Sequence, residues 1–379
     1  MTRSQAQRVA APAGSAFRMT ACDLTNLSFH DIFCLTKRLA YRLSANEAIM
    51  PERVTIKDVA KLANVSVATV SAVLNGNKYV SPELIRRVEH AIKELDYRPN
   101  LVARSLKLNS TNVIGLIFTN ITSAIWPPLV RSVQQYNQSH GFDTVLSVTH
   151  ENLAMEKRAL ETMLARQVDG ILIGPAAGNE HGHIHEAAKH VPLIAIDRLV
   201  PDIESVTMDN ERAAYMATNH LIEHRRRRIG IISLPTTSSN SAARLMGYRR
   251  ALEEHDLFDP ALVREMDFFG QDAFGLAMNL LKTDRVDALL TTSQSTSIAA
   301  LRAVNTLGLR IPEEVALFCY DDAPWMEAVK PALSTVRQPI EDMAQLACDL
   351  LFGRLRGSAP TTENHILACH LILRESCGC

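Results

Sequence analysis

Val54-Thr-Ile-Lys-Asp-Val-Ala-Lys-Leu-Ala-Asn-Val-Ser-Val-Ala-Thr-Val-Ser-Ala-Val-Leu-Asn75 is the stretch from which the architecture can be read. Ile56, Val59, Ala60 and Ala63 recur at helical spacing and share one face. Asn64-Val65-Ser66 breaks the pattern, and the Ser66 hydroxyl is placed to cap a following helix. Val70, Val73 and Leu74 form the inner face of that second helix, and alanines at the crossing permit the tight packing of a helix-turn-helix. Ser81-Pro82-Glu83 opens a third helix with a capping serine, a proline in the first turn and an acid near the positive helix end, running to about Asp96. A generic three-helix bundle is the plainer alternative on these features alone.

Charge separates this segment from the rest. The 379-residue chain carries a net charge of −1, which taken alone speaks against a nucleic-acid partner. The distribution reverses that reading. Residues 53–107 hold 10 basic and 5 acidic side chains, a balance of +5, while residues 108–379 stand at −8 and residues 1–52 at +2. A small basic module precedes a large acidic body.

Residues 1–52 show weak periodicity and read as a poorly ordered extension. Their Arg-, Ser- and Ala-rich start allows an organellar targeting peptide; a translation start at Met50, just before the first strongly patterned segment, is the simpler account. The seven cysteines, at 22, 34, 319, 348, 369, 377 and 379, are odd in number and scattered, which fits free thiols in a reducing cytoplasm. No run of about 18 apolar residues is present, so no membrane association is expected.

Beyond residue 111, β-rich apolar runs alternate with amphipathic helical stretches. The strand candidates are Asn112–Thr119, Asp143–Val148, Val168–Gly174, Pro192–Asp197, Arg228–Ser233, Asp287–Thr291 and Val315–Tyr320, with helices at Leu129–His140, Leu153–Arg166, Glu211–Glu223, Ala242–His255, Thr296–Leu307 and Ile340–Leu351. Strands separated by helices of this length imply βαβ units around buried parallel sheets. Seven or more strands fit two doubly wound sheets better than one, with ligands bound beyond the strands' carboxyl ends.

The string Val54–Asn75, Val80-Ser81, Tyr97-Arg-Pro-Asn100 and Val102-Ala-Arg-Ser-Leu-Lys107 closely resemble the DNA-binding head and hinge of the lactose-repressor (LacI/GalR) family. The resemblance continues through Val168-Asp-Gly-Ile-Leu-Ile173, Arg244-Leu-Met-Gly-Tyr248, Tyr320-Asp-Asp322 and Leu373-Arg-Glu-Ser376, covering about 53–376. It implies an α/β protein with an N-terminal helix-turn-helix head and two doubly wound subdomains of periplasmic-binding-protein type. The implied division is an extension at 1–52, a head at 53–98, a hinge helix and linker at 99–110, and an effector-binding and dimerisation domain at 111–376. Within that domain, one subdomain takes 111–208 plus 340–370 and the other 209–339.

The resemblance also implies function: a transcriptional regulator, a repressor, acting as a homodimer on a near-palindromic double-stranded DNA operator under a small-molecule effector. Val67, Ala68 and Ala72 then face base edges from the second helix, while Thr55, Ser66, Thr69, Ser71 and Asn75 contact phosphates. The family usually has Arg where this chain has Ala72, so the preference at that base is altered or relaxed. Tyr97, Asn100, Ala103, Leu106 and Lys107 match the remaining DNA-side positions, with Leu106 at the place of the wedge leucine that kinks the duplex. Asp197, Arg244 and Asp321 match cleft residues, and two carboxylates with a guanidinium suit a polyol, a sugar acid or a related metabolite, with a nucleobase as the remaining alternative. Strand-end caps and a helix-surface ion pair are their structural alternatives. Ser293-Gln294 stands where many members have Asn-Asp. Trp126, in the loop after the first strand, either stacks on a ligand face or packs the core.

Enzyme readings fare poorly. His185-Glu186-Ala-Ala-Lys189 lacks the second histidine of a zinc-protease helix. His181, His183 and His185 follow a glycine-rich stretch and read as a loop or helix start. Cys377-Gly-Cys379 offers two thiols without evident partners, a weak metal site. Arg225–Arg228, just before a strand, reads as a solvated edge. No phosphate loop, nucleophile elbow or dinucleotide fingerprint occurs, and no cofactor is implied.

Overall fold

The computed structural model describes residues 54–76, 78–98, 110–268 and 272–379. The expectations for the extension at 1–52 and for Asn100, Ala103, Leu106 and Lys107 lie outside the described residues. Two compact units divide near Pro99.

The first unit holds α1 (Ile56–Leu62), α2 (Val67–Asn75) and α3 (Pro82–Glu94). Val59, Ala60, Ala63, Val70, Val88, Ala91 and Tyr97 form its buried centre, with Ile56, Val65, Val73 and Leu74 packed around it. The helical periodicity therefore placed the core faces of α1 and α2. α2 ends on Gly76, whose φ of 63° is the left-handed cap that glycine adopts without steric cost.

The second unit contains two six-stranded sheets. The first has the order β11-β5-β4-β3-β1-β2, all parallel: β1 Val113–Phe118, β2 Asp143–Val148, β3 Gly170–Ile173, β4 Leu193–Ile196, β5 Ser205–Met208 and β11 Asn364–Leu367. The second has the order β12-β10-β9-β8-β6-β7, with β6 Ile229–Ser233, β7 Val263–Glu265, β8 Ala288–Thr291, β9 Ala316–Tyr320 and β10 Ser334–Arg337 parallel and β12 (His370–Ile372) antiparallel to β10. β3, β4, β6, β8 and β9 are buried throughout, as strands covered by helices on both faces must be.

Helices sandwich each sheet. On the first, α4 (Trp126–Ser139) and α12 (Ile340–Leu355) bury Leu129, Val133, Met343, Ala347 and Leu351 against one face; α5 (Leu153–Ala165) and α6 (Gly182–Ala188) bury Leu160, Met163 and Ile184 against the other. On the second, α7 (Asn210–Glu223) and α8 (Ser239–Glu253) cover one face with Ala213, Ala217, Leu221 and Tyr248. The other face carries α9 (Ala273–Lys282) and α10 (Gln294–Leu307), with Leu280, Ala300 and Ala303. A one-turn helix, α11 (Trp325–Ala328), follows β9. The chain passes between lobes three times, after β5, after β10 and between β11 and β12.

All seven expected strands are present. α4 starts at Trp126 rather than Leu129 because Pro127 and Pro128 occupy first-turn positions, where a missing N–H costs nothing. The sequence reading did not include β5, β7, β10, β11 and β12, nor α6, α9 and α11.

Candidate functional site

In the head, the turn between α1 and α2 is fixed from α3. Arg87 donates Nε to the Ala63 carbonyl at 3.1 Å, and Nη2 to the Ala63 and Asn64 carbonyls at 2.6 and 2.8 Å. These are the carbonyls that α1 leaves without helical partners, and a cation there also opposes the negative end of the helix dipole. Asn64 takes a left-handed φ of 51° to make the turn. Ser66 then caps α2, its Oγ accepting the Thr69 N–H at 3.1 Å. Thr55 donates both its N–H and its hydroxyl to Asp58, at 2.8 and 2.7 Å, and these bonds hold the Asp58 carboxyl below its ordinary value.

The exposed start of α2 carries Ser66, Val67 (42% exposed) and Ala68; Thr69 and Ser71 are half-buried beside them. Small hydroxyls next to two apolar side chains form a surface that can approach a groove closely. Two expectations change. Ala72 is 8% exposed, because one methyl does not project past its neighbours, so it presents little surface to a base. Tyr97 is 9% exposed and packs in the head core, so its ring is committed to folding rather than free for DNA.

The cleft lies between the two sheets of the second unit, at the strands' carboxyl ends. Asp197 directly follows β4 and Asp321 directly follows β9, with left-handed φ values of 72° and 65°. Aspartate tolerates this conformation better than most residues, and here it swings each carboxylate off the strand end into the cleft. Asn240 donates Nδ2–H to Asp197 Oδ1 at 3.0 Å, and Gln338 donates Nε2–H to Asp321 Oδ1 at 2.6 Å. Burial pushes the Asp197 carboxyl above its ordinary value, with Arg198 and Arg244 opposing.

Arg244 projects from α8 between the two aspartates' lobes. Its Nε donates to Asn210 Oδ1 at 2.7 Å, its Nη1 to the Thr292 carbonyl at 2.6 Å, and its guanidinium lies 4.4 Å over the Tyr320 ring. Nη2 makes no hydrogen bond among the described residues, and Arg244 lines the cavity. This placement depends on Gly247, one turn along α8. A Cβ there would sit 2.0 Å from the Glu211 carbonyl oxygen and 2.8 Å from the Tyr215 nitrogen of α7. The block Arg244-Leu-Met-Gly-Tyr248 is thus a close helix crossing that delivers a fixed guanidinium.

These groups line one cavity together with Asn120, Trp126, Glu151, Arg198, Ser241, Phe268, Ser293 and Gln338. Ser293 caps α10 by accepting the Thr296 N–H at 3.3 Å, which draws its hydroxyl towards the helix. Glu151 and Arg198 form a buried two-pronged ion pair at 2.6 and 2.8 Å, with Arg198 also donating to the Pro175 carbonyl at 2.9 Å.

A model for bacterial regulatory proteins of the lacI family matches residues 55–100, and one for a periplasmic binding protein-like domain matches residues 218–377. The ribose operon repressor of Haemophilus influenzae is 32% identical over 326 residues, covering 85% of this chain and 98% of that protein. The HTH-type transcriptional repressor PurR of Edwardsiella ictaluri is 34% identical over 321 residues, covering 82% and 94%. The chain belongs to the LacI family. Among solved structures, the lac repressor dimer bound to operator and the anti-inducer ONPF superposes with a TM-score of 0.78 at 26% identity over 86% of this chain and 99% of that one. The CelR–cellobiose complex superposes with a TM-score of 0.64 at 31% identity over 86% and 100%. This LacI-family chain is a DNA-binding transcriptional repressor under effector control, and its relatives are regulators rather than enzymes.

All five residues expected at the effector cleft of this LacI-family protein line one cavity. Trp126 does so as part of its floor: it is 2% exposed, stacks on Phe118 at 5.1 Å between centroids, and leaves no room for a side chain at Gly174. It is a packing residue, not an open stacking platform. Asn240, Gln338 and the Glu151–Arg198 pair were missed, because isolated amides and a pair 47 residues apart carry no local pattern. The three clustered histidines separate: His183 pairs with buried Glu156 at 2.6 Å, and His185 bonds the His181 and Pro201 carbonyls.

Proposed function

We propose that this repressor acts as a C2 homodimer on a near-palindromic operator in the cytoplasm and responds to a sugar or sugar acid bound between its lobes. The observation that carries the ligand class is Arg244: its guanidinium is held by Asn210, the Thr292 carbonyl and the Tyr320 ring, leaves Nη2 without a hydrogen bond among the described residues, and lines a cavity shared with Asp197 and Asp321. Carboxylates accept from vicinal hydroxyls while the guanidinium donates to a ring oxygen or a carboxylate. Gln338 adds a buried Oε1 with no partner among the described residues, an acceptor for a further hydroxyl. The commitment of the Trp126 ring to Phe118 weighs against a flat nucleobase.

The DNA reading rests on the exposed start of α2 with its Ser and Thr hydroxyls, backed by the +5 charge of residues 53–107. Val67 and Ala68 face bases, Thr55, Ser66, Thr69, Ser71 and Asn75 the phosphates, and Leu106 in the hinge is the wedge. No described helix is long and apolar enough to cross a membrane.

A thermal-shift screen of the full chain against pentoses, hexoses, sugar acids and purine bases tests the ligand class. A stabilisation of several degrees by a sugar or sugar acid, lost in Arg244→Ala, supports it, since a cleft ligand stabilises by mass action. Stabilisation by purines alone refutes it. Operator binding tests the other half: affinity must fall steeply with salt and be stronger for a palindromic site than for random DNA.

A further inference from the structure

The Cys377-Gly-Cys379 pair does not lack partners in the folded chain. α7 carries His220 and His224 one turn apart, so both rings project from the same face near its C-terminal end, with centroids 4.3 Å apart. His224 is the residue that closes α7. The terminal segment folds back to these rings. Ser376 Oγ donates to the Leu317 carbonyl at 2.7 Å and accepts the Ser334 N–H at 2.8 Å, which seats the turn Glu375–Cys377 at the amino-terminal ends of β9 and β10. Gly378 adopts a φ of 93°, a left-handed conformation that turns Cys379 back towards the helix.

The outcome is convergence. Cys379 Sγ lies 3.1 Å from His220 Nε2, and one nitrogen of each histidine and the Cys379 sulfur all lie within 4.8 Å of one another. Cys377 sits beside both His220 and Cys379. His224 bonds the His220 carbonyl through Nδ1 at 2.8 Å, an arrangement that fixes its tautomer with the lone pair on Nε2. A backbone carbonyl on the non-ligating nitrogen is the usual outer partner of a metal-binding histidine. The two imidazoles and the Cys379 thiol supply three donors of a tetrahedral, borderline-soft d10 cation with bonds of about 2.0–2.3 Å, and Cys377, whose Sγ donates to the Arg374 carbonyl at 3.3 Å, supplies the fourth by turning from that bond.

We infer that His220, His224, Cys377 and Cys379 form a zinc-binding site at the end of the second lobe opposite the effector cleft. The cation would tie the C-terminal segment to α7, the helix whose first residue, Asn210, holds Arg244 at the other end. None of the four ligands lines the effector cavity. The site therefore stands or falls independently of the proposed ligand class.

Cobalt(II) titration of the reduced full-length chain reads the site directly. The expected result is one equivalent per chain, with the intense visible d–d bands of tetrahedral cobalt and a thiolate-to-cobalt charge-transfer band in the near ultraviolet, both abolished when zinc displaces cobalt. Cys379→Ser and His224→Ala each alter a ligand while leaving the core untouched, and each should weaken cobalt binding by more than the roughly 10–100-fold that loss of an outer partner costs. Cys377→Ser, at a buried position, is the additional variant. Absence of the charge-transfer band overturns the assignment. So does a band that persists unchanged in Cys379→Ser and His224→Ala, since it would arise from other thiols of the chain.

Discussion

Asn240 donates its side-chain N–H to Asp197 across the effector cleft at 3.0 Å, joining α8 of one lobe to the end of β4 in the other. Close by, the Gly178 N–H donates to the Thr237 carbonyl at 3.1 Å, a second bond between the lobes. Asp197 and Asn240 both line the cavity, so the first of these bonds between the lobes is made by residues of the effector site. A hydrogen bond to a buried carboxylate contributes about 1.5–3 kcal/mol. Asn240→Ala should therefore favour the open cleft and speed hydrogen exchange at the Gly178 amide by about tenfold or more. Exchange mass spectrometry over residues 175–180 reads this, and an unchanged rate would remove Asn240 as a latch.

Gly247 is the position at which α8 touches the backbone of α7. A methyl group 2.0 Å from a carbonyl oxygen has no flexible side chain to displace, so the helices themselves must separate. Overpacking of a core commonly costs about 1–3 kcal/mol, and a backbone clash belongs at or above the top of that range. Gly247→Ala should lower the urea midpoint of the second unit and, by displacing Arg244, weaken effector response together with stability. A variant of normal stability would show that the crossing is softer than its geometry implies.

Arg87 presents the same logic in the head. It satisfies the carbonyls of Ala63 and Asn64 at the turn, and nothing else in α3 substitutes for it in this role. Arg87→Ala should cost about 1.5–3 kcal/mol in head stability and lower operator affinity, while the unfolding of the second unit stays unchanged. Arg87→Lys should recover only part, because an ammonium lacks the planar fork that spans two carbonyls. Operator affinity equal to wild type in both variants would mean that the turn holds without Arg87.

The limits of what the residues revealed follow from the kind of signal each element carries. β1, β3, β4, β8 and β9 are buried on both faces and read as apolar runs. β5 (Ser-Val-Thr-Met), β10 (Ser-Thr-Val-Arg), β11 (Asn-His-Ile-Leu) and β7 (Val-Arg-Glu) are only three or four residues long and interleave polar side chains, so no window separates them from loops. The cleft was legible where the family resemblance reaches a single residue, as with Asp197, Asp321 and Arg244. It was not legible where two distant residues make the feature, as with Glu151 and Arg198, or His220 and Cys379. Tyr97 was given a DNA-side role by the family resemblance and packs in the head core, and of the two roles left open for Trp126 the structure favours packing, because an aromatic ring near a site is equally useful as its floor.

Asp322 gives the fold a measurable acid sensitivity. Its carboxylate takes Arg374 Nη1 at 2.8 Å and the Arg337 guanidinium Nε at 2.8 Å, which explains the terminal Leu373-Arg-Glu-Ser376 block as a clamp linking β12, β10 and the end of β9. Burial alone would raise its pKa, but the hydrogen bonds and charges of Arg374 and Arg337 outweigh burial and leave it below the ordinary value of 3.8. A carboxylate more acidic in the folded than in the unfolded chain stabilises the fold at all pH values above the unfolded value. That contribution fades as pH falls from about 3.8 through the lower folded value. Asp322→Asn should thus be less stable than wild type at neutral pH, by about 2 kcal/mol for bonds to charged partners. Below pH 3.8 the wild-type chain should lose stability more steeply than the variant, so that the two curves converge. Urea midpoints of both proteins measured from pH 7 downward check this, and parallel curves through the acid range would show that Asp322 has the same affinity for its proton in both states.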